Sequence, residues 1–92
     1  MKIEFKSSFD RSIKALNAED KAEIKNIAIH LIDIFSMDKP LYEGLGLKRL
    51  QGPYWEVRKG LKVRILFRWK KDLVEFILAG NHENIKRFLR SL

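Results

Sequence analysis

The chain has 92 residues, 46% of them hydrophobic, with two Trp, six Phe, no Cys and a net charge of +7. That is enough apolar material for one small core, residues 1–92 reading as a single domain, and it excludes disulfide staples and thiolate metal sites. No apolar run nears the roughly 18 residues of a membrane span. The start, MKIEFKSSFDRSIK, lacks the apolar stretch of a signal peptide, so the expected setting is a reducing cytoplasm.

Residues 2–6, KIEFK, alternate and predict a short first strand. Ser7 or Ser8 is expected to cap a helix carrying Phe9, Ile13 and Leu16 at helical spacing. Asn17 with Asp20 three residues on reads as a capping-box-like restart. The second helix carries Ile24, Ile27, Ala28, Leu31 and Phe35 on one stripe, widened by Ile32 and Ile34. It is expected to end near Met37, because Asp38-Lys39-Pro40 breaks it. The two helices read as an antiparallel hairpin.

Residues 38–53 hold two Pro and three Gly and read as a loop with a turn around 42–47. Three strands are expected next, over 54–59, 62–69 and 72–79. Lys59-Gly60 suits a tight hairpin because Gly accepts positive φ, and Lys70-Lys71-Asp72 is a second turn. The last strand, LVEFILA, is apolar on both faces, as a central strand is. Gly80 ends it, and Asn81 is expected to cap a final helix with Ile85, Phe88, Leu89 and Leu92 on one face. The order β-α-α-β-β-β-α predicts an α+β fold: a twisted, mostly antiparallel sheet with the helical hairpin on one face and a free concave face opposite.

Charge is concentrated rather than spread. Residues 48–71 contain nine Lys or Arg and one acid, Glu56, a net +8 that leaves −1 for the remainder. In GLKVRILFRW the apolar Val63, Ile65, Phe67 and Trp69 alternate with Lys62, Arg64, Leu66 and Arg68. One face of this strand is therefore apolar and the other carries cations, a pattern that attracts polyanions. Parity places Tyr54 on the side of Glu56 and Arg58, where it can stack on a base, and assigns Trp55 to the core.

The order of elements, the run LKRLQGPYWEVRKGLKVRILF and the ending FILAGNHENIKRFL resemble the RelE/ParE superfamily of toxin–antitoxin toxins over nearly the whole chain. The parts that carry the resemblance are a Leu-x-Gly turn before an aromatic-basic strand, an Arg before a hydrophobic-hydrophobic-aromatic triplet, and a Gly-x-His at the end of the last strand. It implies an mRNA interferase: a metal-independent endoribonuclease that cuts mRNA, in many members on the ribosome.

RNA cleaves itself when a 2′-OH attacks the adjacent phosphorus. The step needs a base, cations on the phosphorane and an acid for the 5′-oxygen, and no cofactor or metal. By the resemblance, Arg64, ahead of Ile65-Leu66-Phe67, stabilises transition-state charge. His82, two residues past Gly80, is general acid or base, and Arg58 binds phosphate. Glu56 is either a general base or an ion-pair partner of Arg58, Arg64 or Lys62. Lys48, Arg49, Lys62 and Arg68 are candidates for RNA backbone contacts. His30, on the flank of the helical stripe, reads as structural.

The implied partners are mRNA with the ribosome, and an acidic, partly disordered antitoxin that wraps the basic surface and displaces the last helix. Two other readings stay open: a ParE-like gyrase inhibitor, and a basic nucleic-acid-binding module without chemistry.

Overall fold

In the computed structural model, which describes residues 1–37, 45–60 and 62–92, the stripe of the second predicted helix becomes the lid of a five-stranded sheet. The strands are β1 (Lys2–Phe5), β2 (Leu45–Gln51), β3 (Tyr54–Lys59), β4 (Arg64–Lys70) and β5 (Leu73–Gly80). The helices are α1 (Ser7–Lys14), α2 (Ala18–Met37) and α3 (His82–Arg90). The sheet order is β1-β5-β4-β3-β2, with β1 parallel to β5 and every other pairing antiparallel. This is the expected α+β class, with one strand more than expected.

The extra strand is β2. Residues 45–51 were expected in the loop and instead pair with β3 from Leu45↔Lys59 to Gln51↔Tyr54. Leu45 is buried and Leu47 packs against the core, while Gly46 and Lys48 point out. An edge strand pairs on one side only and tolerates a glycine that reads as a breaker in sequence. Residues 38–44 of that predicted loop lie outside the described residues, as does the first half of the predicted turn, 42–44; its second half, 45–47, is strand.

The core between sheet and hairpin is built from the predicted positions. Phe9, Ile24, Ile27, Ala28 and Leu31 from the helices meet Val57, Ile65, Phe67, Val74 and Phe76 from the strands. Phe9 stands edge-on to Phe76, and Phe35 edge-on to Phe67 and Trp69, the geometry aromatic quadrupoles favour. Asn17 caps α2 as expected, its side chain accepting from Asp20 N at 2.8 Å.

No serine side chain caps α1. Lys6 occupies that position without a side-chain bond; Ser7 Oγ accepts from Arg11 Nη1 at 3.4 Å, and Ser8 is used on the sheet. β1 covers the edge of β5 only as far as Phe5↔Phe76. Beyond it, Ser8 Oγ donates to Ile77 O at 2.6 Å, and Ala79 N donates to Ser12 Oγ at 2.9 Å. One turn of α1 thus continues the ladder that the strand began.

The far face of the sheet is not wholly free, which corrects the sequence reading. α3 lies on it, burying Ile85 against Leu66 and Ile77, with Leu50, Tyr54, Leu78, Phe88 and Leu89 around them. Leu92, expected on that apolar face, lies past the helix end and is 60% exposed. A bulge makes room: the β4–β5 register jumps from Leu66↔Leu78 to Phe67↔Phe76. Ile77 and Leu78 therefore both join the α3 side, while Ala79 returns to the hairpin side.

Candidate functional site

α3 covers the middle of that face and leaves one end open. There Arg58 of β3 sits opposite Arg64, the first residue of β4, which sits opposite Gly80, the last residue of β5. Period-two alternation turns Arg58, Arg64 and Glu56 to this side. Arg64 Nη1 donates to Glu56 Oε1 at 3.0 Å, with the two side chains 14% and 6% exposed. Glu56 is thus the ion-pair partner of Arg64. Arg64 Nε is buried with no acceptor.

His82 reaches the same group. Its Nδ1 lies 3.4 Å from Arg64 Nη1, a long contact. A guanidinium only donates, so Nδ1 is the acceptor in this contact. The start of α3 fixes the imidazole. Asn81 Oδ1 accepts from Asn84 N at 2.9 Å, and Asn84 Oδ1 accepts from Asn81 N at 3.0 Å, a reciprocal box that satisfies two backbone donors. A Cβ on Gly80 would stand 2.7 Å from Asn84 Oδ1. Glycine is therefore what lets the helix start close against the strand end.

Around these groups lies a hollow of about 410 Å³ lined by Gly46, Lys48, Glu56, Arg58, Arg64 and His82. It holds three permanent cations against one carboxylate, with an imidazole at the rim, and is large enough for a phosphodiester. Gly46 was not singled out in the sequence; a Cβ there would lie 3.5 Å from Arg58 Cγ, in ordinary contact with the Arg58 stem. The signal was its place opposite Arg58, legible only once β2 is recognised as a strand.

The other candidates go elsewhere. Arg68 Nη1 pairs with Glu75 Oε1 at 2.8 Å, beyond Leu66 on the same face. Lys6 Nζ takes the other oxygen of Glu75 at 2.7 Å. That hydrogen bond holds the Glu75 carboxyl below its usual range despite burial, with Arg68 assisting, and raises Lys6 in turn. Lys62 precedes β4 rather than lying in it, and faces Asp20 at 3.4 Å. Arg49 sits opposite Trp55 on the hairpin face and donates to Gly52 O at 2.9 Å. Tyr54 meets the ring of Phe88 at 6.1 Å under α3, which places it in the apolar cluster instead of the hollow. Of the four proposed backbone contacts, only Lys48 lines the hollow. Among the described residues no three His, Cys, Asp or Glu gather to hold a metal ion, and no helix is long and apolar enough to cross a membrane.

No family model matches the chain, and no curated protein matches it significantly. Solved structures do match. A chain of the RelB–RelE antitoxin–toxin complex from Methanococcus jannaschii superposes with a TM-score of 0.66 at 21% identity, over 92% of this chain and 96% of that one. The DinJ–YafQ toxin–antitoxin complex of E. coli gives 0.68 at 18%, over 90% and 93%. The toxin–antitoxin complex RelBE2 from Mycobacterium tuberculosis gives 0.60 at 18%, over 88% and 96%. The fold is therefore that of RelE-type toxins, over nearly the whole length of both chains.

Proposed function

We propose that this protein is the toxin of a toxin–antitoxin system and an endoribonuclease that cleaves mRNA without a metal. The observation that carries this reading is the convergence of Arg64, Glu56 and His82 on one hollow, with Arg64 Nη1 3.0 Å from the carboxylate and 3.4 Å from the imidazole. Lys48 and Arg58 at its wall supply charge for the flanking phosphates.

A scissile phosphate entering the hollow competes with Glu56 for Arg64, whose fork matches phosphate oxygens. The freed Glu56 carboxylate accepts the 2′-OH proton as the 2′-oxygen bonds to phosphorus. Arg64 neutralises the phosphorane. With Arg64 turned to the phosphate, the freed His82 ring takes a proton from solvent and gives one to the 5′-oxygen as the P–O5′ bond breaks. The products are a 2′,3′-cyclic phosphate and a 5′-hydroxyl.

The same basic surface fits an acidic, partly disordered antitoxin segment, a reading supported by chains of this fold occurring in antitoxin–toxin complexes. The ribosome is the expected setting for the cut. The test is the fate of a transcript in a cell-free translation system containing wild-type protein, Arg64→Lys or His82→Ala. Cleavage by the wild type that falls at least a hundredfold in either variant supports the reading. Intact transcripts together with gyrase-trapped DNA breaks would replace it with the gyrase-inhibitor alternative.

A further inference from the structure

The second large hollow lies on the opposite face and at the opposite end of the sheet. The β2–β3 turn at Gly52-Pro53 and the β4–β5 turn at Lys71-Asp72 come together there, tied by Trp69 N donating to Pro53 O at 2.8 Å. Between them is a depression of about 610 Å³ whose floor is Trp55 and Trp69 and whose lining includes Arg49, Lys70 and Lys71. The two indoles are 5.3 Å apart, tilted at 54°, and half-buried. Assignment of Trp55 to the core accounts for only part of its surface. Among the described residues the lining carries three cations and no acid. The tight turn holds Lys71 at φ 52, an uncommon conformation for a residue with a side chain.

We propose that this hollow binds a single-stranded segment of RNA, with bases stacking on Trp55 and Trp69 and phosphates held by Arg49, Lys70 and Lys71. Partly exposed indoles beside a group of cations are what sequence-tolerant single-strand binding uses. The stacking platform favours a nucleic acid over an acidic peptide, which would use the charges and leave the rings bare. The proposal takes from the preceding reading only that the polymer is RNA. It gives the molecule a second grip on a strand, on the face away from the Arg64 hollow.

The chain's two tryptophans both lie in this hollow, so tryptophan emission, excited selectively over tyrosine, reports on it. Titration of the intact protein with a short single-stranded RNA should quench tryptophan emission saturably and with salt sensitivity. The Lys70→Gln/Lys71→Asn variant should bind roughly tenfold more weakly, with a shallower salt dependence; Asn is chosen because it tolerates positive φ. Arg64→Lys should leave the quench unchanged, which separates failure of this site from failure of the cleavage site. No quench with RNA, or an equal quench with inorganic phosphate, polyglutamate or double-stranded RNA, would overturn the proposal.

Discussion

Arg64 and Glu56, on adjacent strands, form a nearly buried ion pair in which one guanidinium nitrogen also faces His82. Such a pair costs desolvation, and the orphaned Arg64 Nε adds to that cost. Removing one partner is worse than removing both, because it strands a charge. Arg64→Ala should therefore destabilise the fold by about 3 kcal/mol, while Arg64→Met/Glu56→Leu should recover most of that loss. Urea unfolding of the three proteins measures it. Full stability in Arg64→Ala would mean that Glu56 has no need of its partner.

Gly80 joins the sheet to the site through Asn84. Gly80→Ala must push a Cβ into the Asn84 side chain, opening the box that starts α3. A loss of about 1–2 kcal/mol is expected for the cap, together with reduced cleavage, because His82 is the first residue of that helix. Thermal unfolding and cleavage assays on the same variant should fall together. Unchanged values for both would show that the helix start does not hold the imidazole.

Ser12 stands in for a strand that has ended. Ser12→Ala leaves Ala79 N without its acceptor beside the core and should cost about 1–3 kcal/mol. Hydrogen exchange at the Ala79 amide should accelerate well before the rest of β5 does. An unaffected exchange rate at that amide would contradict the account of α1 as an edge cover.

Glu75 links stability to pH. Its folded carboxyl titrates below the ordinary value of 4.5 because Lys6 and Arg68 hydrogen-bond the charged form. Its contribution is therefore complete above that value and is lost as pH falls through the depressed one. Lys6 is shifted upward by the same bond, so its share is complete below 10.5 and lost as pH rises beyond its raised value. Melting temperature against pH should decline on the acid side for the wild type and decline less for Glu75→Gln. Parallel acid limbs would remove Glu75 from that role.

Much of this was legible in the chain. The α2 stripe, the Asn17 and Asn81 caps, and the alternation that sends Arg58, Arg64 and Glu56 to one face needed only periodicity. What failed has physical causes. β2 was hidden because Gly46 and Gly52 look like breakers, yet an edge strand carries the first and the second lies in the turn that follows it. The position of α3 is written in Leu66, an apolar residue between Arg64 and Arg68 on the cationic face, and in the two-sided apolarity of β5. Tyr54 was misplaced, since the surface it shares with Phe88 exists only once α3 docks. The bulge at Ile77 left no local signal, because every residue from 76 to 79 is apolar. Parity alone puts Arg64 and Arg68 on one face; only the triplet after Arg64 set it apart in sequence, and the partners that divide them, Glu56 with His82 for Arg64 and Glu75 for Arg68, lie on other elements.

The central claim is that a 2′-hydroxyl of RNA attacks its own phosphate in the hollow of Arg64, Glu56 and His82. The end groups of RNA cut by the protein in a translating extract, supplemented so that cleavage depends on added wild-type chain and disappears with His82→Ala, test it most directly. A 2′,3′-cyclic phosphate and a 5′-hydroxyl are predicted. Fragments ending in a 3′-hydroxyl and a 5′-phosphate, or cutting undiminished in the His82 variant, would contradict it.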